Sequence, residues 1–180
     1  KKQGASMELL DIYNANRQKT GRVHRRGEKL GKGEYILVVC VWVSDGAGRI
    51  LLTLRAPEKT ASPNTWENSG GAAKMGETSR QAIARELWEE TGIRAGEKEF
   101  LFLESDQIKD AFFDFYFLCH PVPLTEIVLQ PGETSDAKWV TLAEMDEMVD
   151  FGVVATPIAK RYLLHRQRLT QLVWQKGKNA

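Results

Sequence analysis

The 180-residue chain has little of what marks several large protein classes. Its two cysteines, Cys40 and Cys119, each lie inside an apolar run. Two are too few for a disulfide framework and stand too far apart for a metal pair. They read as small buried core residues in a reducing, cytoplasmic setting. No apolar run approaches the ~20 residues of a membrane-spanning helix, and the longest, 36–43, has strand length. The N-terminus lacks the charged-then-apolar pattern of a secretory signal. Neither sign of charge dominates, since 25 Lys and Arg face 24 Asp and Glu for a net charge of +1. This argues against a nucleic-acid partner, which calls for a strongly basic face. A local basic pocket for a small anion stays open. Repeats and low-complexity linkers are also missing. With 42% hydrophobic and 27% charged residues, the composition is that of a folded protein, and the length suits one domain. Residues 1–6 precede Met7 and read as a scar of recombinant expression, which leaves 7–180 as the expected single domain.

Periodicity and turn chemistry predict a mixture of strands and helices. Residues 8–13 and 22–24 read as a strand and its return, separated by a turn-rich segment and followed by a polar, basic loop over 25–33. The continuous apolar run 36–43 predicts a strand buried on both faces. A Ser-Asp-Gly-Ala-Gly turn at 44–48 joins it to a strand over 50–55, so the two form an expected hairpin. Residues 57–63 predict a loop, and 66–72 favour no element clearly. A helix is expected over 78–91, ended by Gly92. A second strand pair is expected at 100–104 and 111–119, a short strand at 137–141, and helices at 142–149 and 157–175. Together these suggest a sheet covered by helices.

The helix over 78–91 carries the chemistry. Glu86, Glu89 and Glu90 stand at i, i+3 and i+4 and so share one face. Ala82, one turn earlier, leaves space beside them, and Ile83, Ala84, Leu87 and Trp88 are expected to pack on a sheet. A solvated acidic face would give the same pattern. Against that reading, like charges at i, i+4 repel. The three also sit where the helix dipole disfavours anions, and Gly92 and Ile93 follow instead of a compensating cation. A hard divalent cation, Mg²⁺ or Mn²⁺, would relieve all three costs.

Around these residues, Gly71, Glu77, Arg85, Glu86, Leu87, Glu89, Glu90, Gly92 and Ile93 form the pattern G-x5-E-x7-R-E-U-x-E-E-x-G-U, where U is a bulky aliphatic. Residues 71–93 thereby resemble the Nudix box at every fixed position. The resemblance implies an α+β fold, an α/β/α sandwich with a mixed β-sheet between helices, and a Nudix diphosphohydrolase acting on acid anhydrides. It implies Glu86, Glu89 and Glu90 as metal ligands, with Glu90 or Glu86 helping to orient the attacking water. Arg85 would hold a box carboxylate, and Glu77 would brace the helix or ligate a second metal. Gly71 would let the backbone approach the metal. The expected substrate is a small diphosphate-containing metabolite, and the expected cofactor is Mg²⁺, with Mn²⁺ as a substitute. Metal ions supply both the charge neutralisation and the activated water that cleavage of a diphosphate needs.

More weakly, residues 8–14, 20–27, 51–55 and 66–69 resemble the Nudix branch related to isopentenyl diphosphate isomerase. That family needs a cysteine just after the Asn-Ser segment and metal-binding histidines, whereas here Asn68-Ser69 is followed by glycines and alanines, and the histidine positions fall near Lys29 and Ile36. Hydrolysis is therefore the leading expectation. An isomerase-like enzyme and a non-catalytic nucleotide sensor are the alternatives.

Several residues outside the box have two readings each. Glu133 is either the general base or an exposed turn residue. Arg55 and Lys59 either bind substrate phosphate or are ordinary surface cations. Trp66 either stacks on a base or isoprenoid chain or packs in the core. The basic cluster Arg22, Arg25, Arg26, Lys29 and Lys32 steers anions or is a solvated face. Phe112, Phe113, Phe115, Tyr116 and Phe117 are expected to fill the core, and His120 and His165 receive no role. The apolar stripe Ile158, Leu163, Leu164, Leu169, Leu172 and Val173 of the last helix covers its own sheet or pairs two subunits, so monomer and homodimer are both compatible.

Overall fold

The computed structural model describes residues 8–175, so the expected expression scar at 1–6 lies outside the described residues. The elements run β1 (Leu9–Tyr13), β2 (Lys19–Arg25), β3 (Ile36–Ser44), β4 (Arg49–Arg55), β5 (Trp66–Glu67), β6 (Ser69–Ala72), α1 (Ser79–Thr91), β7 (Leu101–Ile108), β8 (Ala111–Cys119), β9 (Thr134–Thr141), α2 (Leu142–Asp150) and α3 (Thr156–Leu172).

β1 and β2 form a two-stranded antiparallel ribbon, and the other seven strands form one mixed sheet. At its centre β3 pairs in parallel with β8, from Ile36↔Ala111 to Ser44↔Cys119. β7 extends the sheet antiparallel to β8. On the other flank the expected hairpin is only partly formed. β3 and β4 pair beside their turn, at Ser44↔Ile50, and then diverge. The segment that favoured no element from sequence fills the gap: β6 pairs with β3 from Val38↔Ala72 to Val41↔Ser69, and β5 pairs with β4. β9 closes the far side of β4. Gly70 explains why the sequence signal for this segment is weak. A Cβ there would lie 2.3 Å from the Val39 carbonyl oxygen, so the chain sacrifices strand propensity for close approach.

Alternation along the central strands builds two cores. Leu37, Val39, Val41 and Val43 of β3 pack with Phe112, Tyr116 and Leu118 of β8 beneath Ala82, Ile83 and Leu87 of α1. Cys40 and Trp42 join Phe115 and Phe117 on the opposite face, covered by Met145 and Met148 of α2 and Tyr162, Leu169 and Leu172 of α3. Helices cover both faces, so the central strands are apolar throughout rather than alternating. On α1 two expectations change. Ala82 leaves no space beside the carboxylates but is fully buried in the core, and Trp88 is 45% exposed with Arg94 over its ring. The packing stripe is Ala82, Ile83, Leu87 and Thr91, and Trp88 falls on the far side of it. On α3, Leu169 and Leu172 are buried while Leu163 and Leu164 face outward.

Candidate active site

α1 is fixed at both ends by local chemistry. The Thr78 hydroxyl accepts the Gln81 N–H at 3.2 Å, and the Gln81 side chain accepts the Thr78 N–H at 2.9 Å, a reciprocal capping box. Gly92 ends the helix at φ 74°. These caps set the register that turns Glu86 and Glu90 towards a cleft above β6. Its walls carry six carboxylates (Glu8, Glu67, Glu86, Glu89, Glu90 and Glu133) and three cations (Arg26, Arg55 and Lys59), with Gly70, Gly71 and Gln130. Fully ionised, these walls have a formal charge of −3, which would repel a diphosphate unless a cation intervened.

The floor is shaped around the box carboxylates. A Cβ on Gly71 would lie 2.4 Å from Glu86 Oε1, so only glycine leaves that carboxylate its place. The Ser69 hydroxyl and the Gly70 N–H favour the ionised form of Glu90. Its Oε2 is enclosed and has no partner among the described residues. Burial first, and then the charges of Glu67 and Glu86, push the Glu90 carboxyl well above the usual range. Burial likewise raises Glu86 and Glu67 against the opposing pull of Arg85 and Arg55. Carboxylates that resist ionisation together, one of them with an orphaned oxygen, have the chemistry that a hard divalent cation would satisfy.

Arg85 organises the rest of the helix face. Its five N–H donors meet five acceptors: Glu77 at 2.6 and 2.9 Å, Glu86 at 2.8 Å, Glu89 at 3.0 Å and the Ala72 carbonyl at 3.1 Å. Glu77 also accepts the Lys74 N–H at 2.8 Å, so both of its oxygens are committed away from the cleft. This fits the bracing reading of Glu77. Glu89 is drawn to the rim by Arg85 and by Lys74 Nζ at 3.3 Å. Among the described residues no three His, Cys, Asp or Glu side chains are gathered as tightly as a bound ion would hold them. Glu89 would turn inward to join Glu86 and Glu90.

Residues 34–162 match the family model of the NUDIX domain. The chain belongs to the Nudix family. It is 37% identical over 147 residues to an uncharacterized Nudix hydrolase of Listeria monocytogenes, covering 81% of this chain and 87% of that protein. Among solved structures, a Deinococcus radiodurans protein superimposes with a TM-score of 0.70 at 20% identity, covering 93% of this chain and all of the other. A bifunctional NMN adenylyltransferase/ADP ribose pyrophosphatase of Francisella tularensis, solved with AMP and a Mn ion, gives 0.61 at 19% identity over 75% of this chain and 42% of that one. At such identities the two structures speak to the fold, which is the Nudix α/β/α sandwich.

In this Nudix domain the residues singled out from sequence outside the box divide into two groups. Arg55, Lys59 and Glu133 reach the cleft, where Arg55 grips both Glu67 oxygens at 2.9 and 2.8 Å and Lys59 pairs with Glu133. Trp66 does not reach it. Its ring packs against the α2–α3 core with Lys138 Nζ 4.2 Å from its centroid, which corrects its reading as a substrate-stacking residue. Cys40 lies in β3 beneath Gly70, and burial pushes its thiol up to about 12, so it is no acid or nucleophile at neutral pH. Glu8, Arg26, Glu67 and Gln130 line the cleft without having been singled out as wall residues. They belong to no local motif and meet only through tertiary structure. The basic cluster containing Arg26 was their one visible trace. His165 has a structural role. Trp42 Nε1–H donates to its Nδ1 at 3.0 Å, and its Nε2–H donates to Glu104 at 2.8 Å.

Proposed function

We propose that this Nudix protein is a Mg²⁺-dependent hydrolase that cleaves the diphosphate bond of a nucleoside diphosphate-linked or related small metabolite. The observation that carries the reading is the enclosed, unpartnered Glu90 Oε2 beside Glu86 and Glu67 in a cleft whose other wall bears cations. The Francisella neighbour, an ADP ribose pyrophosphatase solved with a Mn ion, makes ADP-ribose the first substrate to try and Mn²⁺ a reasonable substitute metal.

Glu86, Glu89 and Glu90 would hold the cation, with the Gly71 segment leaving room for it. Bound there, a divalent ion supplies charge neutralisation at the diphosphate and a more acidic water. Arg55 and Lys59 bind phosphate oxygens from the opposite wall. Once phosphate engages Lys59, Glu133 loses its ion-pair partner and is left to accept the proton of the attacking water. Water oxygen bonds to phosphorus, the bridging P–O bond breaks, and two phosphate-bearing products leave. Arg85 touches no substrate. It holds Glu86 and, through Glu77 and the Ala72 carbonyl, ties the helix to the segment 72–77.

Residues 7–180 are taken as one catalytic domain acting on a small molecule as a monomer or homodimer, without a nucleic-acid or membrane partner. No helix among the described residues is long and apolar enough to cross a membrane, and neither Cys40 nor Cys119 is part of a disulfide among the described residues. Both fit a cytoplasmic setting. The test is a panel of ADP-ribose, dinucleotides, nucleoside triphosphates, coenzyme A and isopentenyl diphosphate with Mg²⁺, run beside Glu89→Gln and Glu90→Gln. Metal-dependent cleavage that both variants lose supports the reading. Wild-type silence across the panel, with tight nucleotide binding, would replace it with a sensor. Dimethylallyl diphosphate as product would replace it with an isomerase.

A further inference from the structure

One wall of the cleft lies outside the family match. That match begins at residue 34, yet Glu8 and Arg26, at the two open ends of the β1–β2 ribbon, both line the cleft. The ribbon is fastened to the segment that leads into α1. Met75 N–H donates to the Leu9 carbonyl at 2.7 Å, and Gly76 N–H donates to Asp11 Oδ2 at 2.9 Å. Farther along, Tyr13 and Tyr35 exchange backbone bonds, and Arg17 reaches the buried Asp114 at 2.5 Å. So held, the ribbon delivers Arg26 to the cleft at a defined place.

The three cations of the cleft differ in what they have left to offer. Arg55 spends Nε on the Ala61 carbonyl and Nη1 on Glu67. Lys59 is paired with Glu133. Arg26 uses Nη1 for Glu8 Oε2 at 2.6 Å, and no other side-chain partner meets it among the described residues. Its side chain is 58% exposed, and the charges of Glu86 and Glu133 help to hold it ionised after Glu8 does. An exposed pair of this kind contributes only about 0–1 kcal/mol to stability, so anchoring the ribbon is a poor account of it. A planar guanidinium with one edge fixed and one edge free is suited to grip two anionic oxygens at once.

We propose that Arg26 is a specificity-determining residue which clamps phosphate oxygens of the substrate from the ribbon side of the cleft, with Glu8 aiming it. The proposal rests on the diphosphatase reading above and adds to it a substrate contact from an element outside the matched domain.

The probes are methylenediphosphonate with Mg²⁺, followed by calorimetry, and steady-state kinetics on whichever panel substrate the wild type cleaves. Arg26→Gln is expected to weaken Mg²⁺-dependent binding and raise KM by roughly 10–100-fold, the range for lost hydrogen bonds to a charged group. Its kcat should stay within about threefold and its Tm within about 2 °C, since an exposed pair contributes little. Arg26→Lys keeps the charge without the fork and should recover less than half of the loss. Arg25→Gln removes the same charge one residue away, at an exposed position outside the cleft lining, and should change nothing. Equal binding by wild type and Arg26→Gln overturns the proposal. So does an equal loss in Arg25→Gln, which would mean a diffuse field in place of a contact. Wild-type protein that neither binds nor cleaves any probe overturns the diphosphatase reading itself.

Discussion

Replacing Glu90 by glutamine removes a negative charge from the cleft while keeping the shape of the side chain, and it should separate function from stability. In Glu90→Gln the amide carbonyl can face Ser69 and Gly70, and the new N–H donors can face the carboxylates that now repel Glu90. The enclosed Oε2 without a donor costs the metal-free protein ~1–3 kcal/mol. At roughly 2–4 °C per kcal/mol for a chain of this size, the metal-free variant should melt about 2–12 °C above the wild type at pH 7. The sign with pH follows from the raised carboxyl. The folded state holds the Glu90 proton more firmly than the unfolded chain, so wild-type stability falls as pH rises above the ordinary 4.5. The advantage of the glutamine should therefore grow as pH rises above 4.5 and fade towards it. Differential scanning fluorimetry in chelator, and again in Mg²⁺, reads both arms. Mg²⁺ should stabilise the wild type and leave the variant nearly unmoved. A metal-free variant that melts at or below the wild type at pH 7 would refute the reasoning, because the orphaned charge would then cost nothing.

Gly71→Ala drives a methyl group into the place of the Glu86 carboxylate, 2.4 Å away, but the atom it meets is the end of a flexible side chain. Metal-dependent turnover should fall at least a hundredfold while Tm changes by only a few degrees, because the displaced group is a proposed ligand and not core. Arg85→Ala leaves Glu77 and Glu86 without their partner. A buried pair broken this way costs about 3–5 kcal/mol, and the partial exposure of Glu77 and Glu89 lowers the figure to roughly 2–3 kcal/mol in urea unfolding. Arg85→Lys should recover only part of it, since a lysine cannot meet five acceptors. His165 is buried as the neutral Nε2–H tautomer, and burial holds its proton affinity below the usual 6.5 despite Glu104. Its contribution is present above pH 6.5 and lost as pH falls below it. NMR should show the Nε2–H form at about pH 7.5 and protonation of the ring only below the ordinary 6.5. A ring that takes up its proton at or above 6.5 would contradict this.

The parts of the molecule legible in the sequence are those where local pattern and tertiary environment agree. The run at 36–43 announces a strand covered on both faces, and β3 is one. Thr78 and Gly92 bracket α1 because caps are local chemistry. The same logic brought Glu86, Glu89 and Glu90 to one helix face, and the fold adds Gly71, Arg55, Lys59 and Glu133 to the same cleft. Legibility ends where a residue answers to distant neighbours. Trp88 looked apolar enough to bury, but the helix has only one stripe against the sheet and Trp88 is not on it. Trp66 looked available for stacking, but β5 turns it into the α2–α3 core. Residues 66–72 read as indistinct because Gly70 satisfies a backbone approach that no periodicity encodes. Arg26 and Glu8 could not be placed, since what brings them to the cleft is the seating of a ribbon on residues 74–76.

The segment 66–72 has a further consequence. Because β6 and β5 occupy the gap between β3 and β4, the ground on which Glu86 and Glu90 rest is woven into the middle of the sheet and cannot shift without tearing strand pairing on either side. The cleft thus has a bed woven into the sheet and banks made of separate segments: the loops after β4 and before β9, and the ribbon ahead of β3. Residues on the banks can be replaced without disturbing the strand pairing of the bed.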